Sequence, residues 1–485
     1  MNSIKDLKPQ SVWNIFYQLT RIPRPSKKEE NAVKFAKEFG EKLGLKTVVD
    51  STGNVVISKP AYPGMENRMG AILQGHLDMV PQKNSDKVHD FEKDPIESVI
   101  DGEWVKANGT TLGADNGIGV AAALAVLEDK NIKHGPLEVL LTVDEETGMT
   151  GAFGIKPGIL KGDVLLNLDS EDERELIIGC AGGMNTGGTG TYKEVSVPEG
   201  MKAFRLSVTG LKGGHSGVDI NLGRGNAAKI MTRLLWSLQV ADIRISSLEA
   251  GNLRNAIPRE AFVIVCLPEA NVARLQIILE EHEKIFEAEY SSTDDGLTLK
   301  AEKAILPSWI MDDKSQKKLI KLLYGIPHGV MRMSADMPEI VETSTNLAIV
   351  KVESGLMKVS CLLRSSVDSA KISLGYMTQS VMELGGLQVT HDGAYPGWKP
   401  NLSSSILSTM KEVYHKKFGK EPEVKVIHAG LECGLIGAVY PGMDLISCGP
   451  TIKYPHSPDE KVNIASVEKF WGFLLETLEN IPVKK

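Results

Sequence analysis

Two stretches sixty-nine residues apart carry side chains that hold metals and move protons: Gly75-His76-Leu77-Asp78 and Asp144-Glu145-Glu146-Thr147-Gly148. Each follows an apolar run, 69–74 and 137–143, that reads as a buried strand. Ionisable groups at the ends of buried strands are costly unless something pairs with them, and a cation is the usual partner for a group of carboxylates. Asp115, Asp169, His215 and His456 add to the set. Together these residue types read as the working parts of a two-metal hydrolase.

Taken singly, each signal has a plain structural alternative. His76 and Asp78 are two apart, which on a strand puts both on one face. Asp78 would then accept the second imidazole N–H and fix the tautomer of a metal-bound His76; the alternative is a His–Asp hydrogen bond with no metal. Glu145 and Glu146 are adjacent, so in extended backbone they point to opposite sides. One would bind metal while the other faces the reacting water as general base; the alternative is a solvated acidic turn. Asp115 lies in the glycine-rich stretch 111–119 just before a helix, where an N-cap is the plain role. That stretch lacks the GxGxxG order and no Lys followed by Ser or Thr comes after it, so phosphate binding is discounted. Asp169 ends a strand beside Glu171, Asp172 and Glu173, and His456 sits in a proline-stiffened loop, 454–460. Gly214-His215-Ser216-Gly217 does not complete a GxSxG nucleophile elbow, because Val218 fills the last position.

The elements that must position these residues alternate. Helical apolar spacing covers 11–20 and 28–43, broken by Pro23 and Pro25. Residues 55–57 and 71–73 read as strands, 117–127 as a buried helix, 137–143 and 164–168 as further strands. Alternation of this kind predicts an α/β sheet, in which functional residues gather at the carboxyl ends of strands. The texture changes near 185. The small, polar run 187–191 reads as a crossing point, 204–208, 262–265 and 357–362 as strands, and 226–238 as a helix. This α+β texture predicts a lid domain inserted over 187–393, with 1–186 and 394–485 forming a discontinuous catalytic di-metal domain. No low-complexity tract or repeat stands out.

At 485 residues the chain exceeds one hydrophobic core. Its 42% hydrophobic and 24% charged content is that of a soluble globular protein, and a net charge of −7 runs against nucleic acid or an anionic membrane as partner. Five scattered cysteines without a CxxC pair suit a reducing compartment. Residues 1–7 lack a continuous apolar core, so no secretory leader is expected, and no run approaches ~18 apolar residues. A cytoplasmic location is expected.

The motifs in this order resemble the di-zinc aminopeptidase/carboxypeptidase clan, and within it the bacterial aminoacyl-histidine (Xaa-His, cytosolic non-specific) dipeptidases. The resemblance runs from end to end. Its most specific strings are Gly75-His76-Leu77-Asp78-Met79-Val80-Pro81, Leu253-Arg254-Asn255-Ala256-Ile257-Pro258 and His428-Ala429-Gly430-Leu431-Glu432-Cys433-Gly434. It implies a zinc-peptidase-like fold with a mixed central sheet flanked by helices. It implies two divalent metal ions, zinc first and cobalt or manganese as alternatives. His76 and Glu146 would hold one with Asp115, and Asp169 and His456 the other, with Asp115 bridging. Asp78 would orient His76, Glu145 would be the general base, and His215 would stabilise the oxyanion. For the substrate, Arg364 would pair with the carboxylate, Asn255 would assist, and Glu432 would receive the free ammonium. The implied reaction is hydrolysis of Xaa-His and other unblocked dipeptides by a water that two metal ions activate, and a homodimer fits the family. The competing readings are a deacylase or carboxypeptidase of the same clan, which would not need a free amine, and a non-catalytic metal-binding protein, which would lack the base.

Overall fold

Leucine-, valine- and isoleucine-rich runs pair into an eight-stranded sheet whose central strand ends carry most of the candidate residues. A computed structural model describes residues 3–484. The backbone divides into two compact units. One comprises residues up to Cys180, Trp398–Val426 and Leu431 onward; the other comprises Ala181–Gly397 and Ile427–Gly430.

In the first unit the strand order is Lys46–Val49, Val55–Lys59, Leu137–Thr142, Ala71–His76, Val164–Asn167, Asp444–Ser447, Glu175–Cys180 and Glu423–Ile427. Ala71–His76 pairs parallel with Leu137–Thr142 and with Val164–Asn167, which in turn pairs parallel with Asp444–Ser447. These strands are buried at nearly every position, as strands covered on both faces require. Antiparallel pairing of Val55–Lys59 with Leu137–Thr142 makes the sheet mixed. The helix Ala114–Glu128 is composed of Ala, Val, Leu, Ile and Gly from Gly117 to Leu127 and packs against Ala71–His76. Gly119 permits a close approach to the chain just after Val164–Asn167, since a Cβ there would stand 2.4 Å from the Leu168 carbonyl oxygen.

The second unit holds an antiparallel sheet in the order Thr298–Lys303, Met201–Thr209, Ala261–Pro268, Arg244–Ala250, Val341–Glu353, Leu356–Ser365, Gly182–Thr191 and Gln388–Tyr395, with Gly329–Met333 also on Val341–Glu353. The helices Ala227–Leu238, Val272–Tyr290, Asp313–Gly325 and Asp368–Leu384 share its core, where Ile230, Met231, Leu234 and Leu235 lie with Leu206, Val263 and Val265.

The glycine-rich run expected as a crossing point is instead part of a ten-residue strand, Gly182–Thr191. Its small residues answer to packing: a Cβ at Gly188 would meet Leu387 at 2.8 Å and the Met382 sulfur at 2.9 Å. Because that strand pairs with Leu356–Ser365 and Gln388–Tyr395, the second unit opens at Ala181 and closes at Gly397, outside the expected edges of 187 and 393, and 427–430 joins it. Among the described residues, no helix is long and apolar enough to cross a membrane.

Candidate metal centre and substrate site

Register explains why His76 and Asp169 meet. Gln74 lies opposite Asn167 in the parallel pair, so two further residues along each chain bring the His76 and Asp169 side chains to one level. His76 Nε2 stands 3.3 Å from Asp169 Oδ1 and 3.1 Å from Asp115 Oδ1. On the other side of Asp115, His456 Nε2 is 3.1 Å from Asp115 Oδ2 and 3.0 Å from Glu146 Oε2. Asp115 therefore offers one oxygen to each of two sets, His76–Asp115–Asp169 and Asp115–Glu146–His456, each with donor atoms within 4.8 Å of one another. All five residues expected as ligands converge. Their partition differs from the expected one: His76 sits with Asp169 and His456 with Glu146, because strand pairing fixes the first couple and the 454–460 loop delivers the second.

Asp78 is fully buried, with Oδ1 3.3 Å from His76 Nδ1. Its carboxylate accepts hydrogen bonds from Ser26 Oγ at 2.8 Å and from the backbone N–H groups of Glu145 and Glu146 at 3.0 and 3.2 Å. Glu145 and Glu146 are thus not in extended backbone, as their adjacency suggested, but open a one-turn helix, Glu145–Gly148. Asp144 makes the corner in the left-handed region at φ 53°, a conformation Asp tolerates better than most residues. Its N–H donates to Glu29 Oε1 at 3.0 Å, and its carboxylate accepts from the Thr147 and Thr150 hydroxyls. Glu145 still belongs to the centre, since a donor atom of each of His76, Glu145 and Glu146 lies within 4.8 Å of the other two.

Without cations this cluster holds protons. Burial raises the Glu145 carboxyl well above the usual range, and Asp169, Glu432 and Glu146 add to the rise. Burial drives Asp169 up to about 8. Against the pull of burial, Asp169, Asp115 and Asp78 hold the His76 imidazole well above its ordinary value. Hydrogen bonds to Asp115 and Glu146 lift His456 to about 11. Asp78, despite burial, is brought down to about 2 by His76 and the Glu145 amide. The donor set fits divalent cations: imidazoles and carboxylates, with Glu146 Oε1 buried and without a hydrogen-bond partner among the described residues. The two sets that share Asp115 can hold a dinuclear metal centre.

Beneath it runs a buried polar chain. Ser447 Oγ donates to Asn167 Oδ1 at 2.5 Å, Asn167 Nδ2 to Gln74 Oε1 at 2.6 Å, and Gln74 Nε2 to Glu432 Oε2 at 2.6 Å. Thr142 Oγ1 donates to the same Glu432 oxygen at 2.7 Å. Glu432 Oε1 is buried and without a hydrogen-bond partner among the described residues, and burial lifts this carboxyl to about 7.

The second unit gathers His215, Arg364 and Asn255. His215 pairs with Ala256 in a short antiparallel ladder, and Ser216 N–H donates to the Asn255 carbonyl oxygen at 2.8 Å. Asn255 itself is exposed. His215 Nδ1 accepts from the Gly217 and Val218 N–H groups, both at 3.2 Å. Burial and Arg364 hold His215 down at about 4, so the ring is neutral and carries its hydrogen on Nε2. That nitrogen is 3.4 Å from Arg364 Nη2. Arg364 is buried, donates to the Tyr395 hydroxyl at 3.1 Å, leaves Nε unpartnered and makes no ion pair among the described residues. Among the described residues Arg364 is therefore not a partner in a surface ion pair.

Sequence reading missed Tyr395, His428 and Ser344, whose hydroxyl meets His428 Nε2 at 2.7 Å. It also missed Gln74, Asn167 and Ser447. The signal was present as polar residues inside apolar strands, Gln74 within 71–76 and Asn167 within 164–167.

The description "Peptidase family M20/M25/M40" matches residues 72–480. The chain is 45% identical over 485 residues, all of both chains, to the cytosol non-specific dipeptidase of Escherichia coli (strain K12). An aminoacylhistidine dipeptidase from Vibrio alginolyticus superposes with TM-score 0.94 and 48% identity, over 100% of this chain and 99% of that one. Aminopeptidase PepT from Bacillus cereus ATCC 10987, at 16% identity and TM-score 0.61 over 98% of this chain and 99% of that one, shares the fold. The chain belongs to peptidase family M20/M25/M40.

Proposed function

We propose that this chain is a metal-dependent dipeptidase that hydrolyses Xaa-His and other dipeptides with a free amino terminus, using two zinc ions. The observation that carries the reading is Asp115, with one oxygen 3.1 Å from His76 Nε2 and the other 3.1 Å from His456 Nε2. The substrate class rests on the two relatives that match end to end, both dipeptidases by name.

His76, Asp115 and Asp169 would hold one ion, and Asp115, Glu146 and His456 the other. Bound there, the ions supply Lewis-acid polarisation and a lowered water pKa. Asp78 holds the His76 ring in place through Nδ1. Glu145 is the general base: its carboxyl is raised by burial, which brings its basicity toward that needed to take a proton from water and pass it to the leaving amine. His215 presents Nε2–H to the developing oxyanion. Arg364, a buried guanidinium with no carboxylate of its own, takes the substrate carboxylate, with Asn255 beside His215 assisting. The unpartnered Glu432 Oε1 takes the substrate ammonium. The catalytic and lid roles expected for the two segments belong to this reading, with the edges at Ala181 and Gly397.

Hydrolysis of Ala-His, β-Ala-His and N-acetyl-Ala-His is the test, before and after chelation and zinc re-addition. The expected result is metal-dependent cleavage of the two free-amine dipeptides alone. Cleavage of the acetylated peptide would favour a deacylase, and indifference to chelation would remove the two-metal reading.

A further inference from the structure

Glu460 is buried at 2% exposure, four residues beyond His456, and takes no part in the roles above. Its carboxylate accepts four consecutive backbone N–H groups: Leu112 at 2.7 Å and Gly113 at 2.9 Å on Oε2, Ala114 at 2.7 Å and Asp115 at 3.1 Å on Oε1. These are the amides of the loop that ends in the shared Asp115. The same loop is tied from a second side. Arg24, also 2% exposed, donates through Nη2 to the Gly113 carbonyl at 2.5 Å and through Nη1 to the Leu77 and Asp78 carbonyls at 2.9 and 2.8 Å. Gly113 sits at φ 69°, and a Cβ there would stand 2.6 Å from Arg24 Nη2, so only glycine leaves room for this tie.

We propose that Glu460 is a positioning residue that clamps the Asp115 loop to the His456 loop and so sets the affinity of the metal position formed by Asp115, Glu146 and His456. The inference rests on the two-metal reading above. Glu460 is covalently close to one member of that set and hydrogen-bonded to the backbone of another, so it fixes their separation. The His76–Asp169 couple has its own fixation, through strand register, and does not need Glu460. Groups that orient ligands from behind commonly govern metal affinity about 10- to 100-fold. Glutamine is a poor substitute although it is isosteric. Its amide presents acceptors at one end only, and its NH₂ would face two backbone donors, so the loop must shift.

The test is zinc content of the full chain, wild type and Glu460→Gln, equilibrated across graded free-zinc buffers and read by elemental mass spectrometry. Cobalt absorption spectra at saturation are recorded beside it. The wild type is expected to hold two ions. The variant is expected to hold one ion more weakly, with that midpoint shifted about 10- to 100-fold and the other, which shares Asp115, shifted several-fold less, and to show an altered cobalt spectrum. A merely structural role would weaken both ions together. Glu460→Asp keeps the charge with a shorter reach and is expected to fall between; it replaces the glutamine variant if circular dichroism shows that variant unfolded. Two ions at wild-type midpoints in the variants, or equal weakening of both ions, overturns the clamp alone. A wild type that holds fewer than two ions overturns the clamp and the two-metal reading together.

Discussion

The two units each collect buried polar side chains at one place, and they do so with opposite charge. The first crowds Asp78, Asp115, Glu145, Glu146 and Asp169 around two imidazoles that these carboxylates keep protonated. The second sets a lone guanidinium, Arg364, beside His215 and His428, whose rings burial keeps neutral at about 4 and about 3. A buried group of one sign is tolerated only with a counter-charge. The first cluster therefore calls for cations and the second for an anion. In the function proposed above, bond breaking belongs to the first cluster and recognition of the carboxylate end of the peptide to the second.

The sharpest way to break this division is to remove chemistry from one side without touching charge capture on the other. Glu145→Gln is expected to lower kcat by about 10²–10⁴, the range for a positioned general base, with KM within a few-fold and two metal ions retained. Steady-state kinetics with metal analysis checks it. A variant at near-full rate would show that another group is the base.

Arg364→Lys is the complementary change. Lysine keeps the charge but cannot offer two donors in the fork that fits a carboxylate. KM for Ala-His is expected to rise by about 30-fold, equivalent to about 2 kcal/mol, the low end for disrupting a buried charge pair. kcat should move far less, because the contact is the same in ground and transition states. Ala-His amide, which lacks the carboxylate, should be equally poor with wild type and variant. A large preference of the wild type for hydrolysing the amide would remove Arg364 from substrate reading.

Much of the first cluster was legible in the sequence, because its residues sit at the ends of strands whose apolar runs are plain: 71–76, 137–142 and 164–167. What the sequence did not reveal was which of these side chains stand together. That depends on register, Gln74 against Asn167, which no single strand displays. Glu145 and Glu146 were placed on opposite sides of extended backbone because the left-handed corner at Asp144 has no marker in the chain. The second cluster was less legible still. His215, Arg364, Tyr395 and His428 come from four separated segments, of which only those of Arg364 and Tyr395 share one antiparallel sheet, and only the first two residues stood out by type. Gly182–Thr191 misled for a chemical reason: small residues usually signal a turn, yet here they make room for Leu387, Met382 and the Tyr395 ring.

The finest difference between the units lies in their response to pH once metal is removed. In the first unit Asp169 is raised to about 8, Glu432 to about 7 and His456 to about 11. The folded unit therefore binds protons that the unfolded chain has released, and it loses stability as pH rises from about 4 toward 8. Asp78, lowered to about 2, has the opposite sign, but its window lies below that range. In the second unit His215 and His328 lie at about 4 and His428 at about 3. There the unfolded chain takes up protons first, so the contribution of these histidines is full above about 6.5 and is lost as pH falls toward 4. The buried cysteines report on each unit separately, Cys433 and Cys448 on the first, Cys266 and Cys361 on the second. Urea titrations in chelator, with a brief thiol-labelling pulse read by mass spectrometry, are expected to show the first pair's midpoint falling and the second pair's rising between pH 4.5 and 8. Zinc should reverse the first trend alone, because the ions take the places that protons hold and bind better as those protons leave. Midpoints that move together in chelator would mean that the opposite charge of the two clusters does not govern how the units respond to acid.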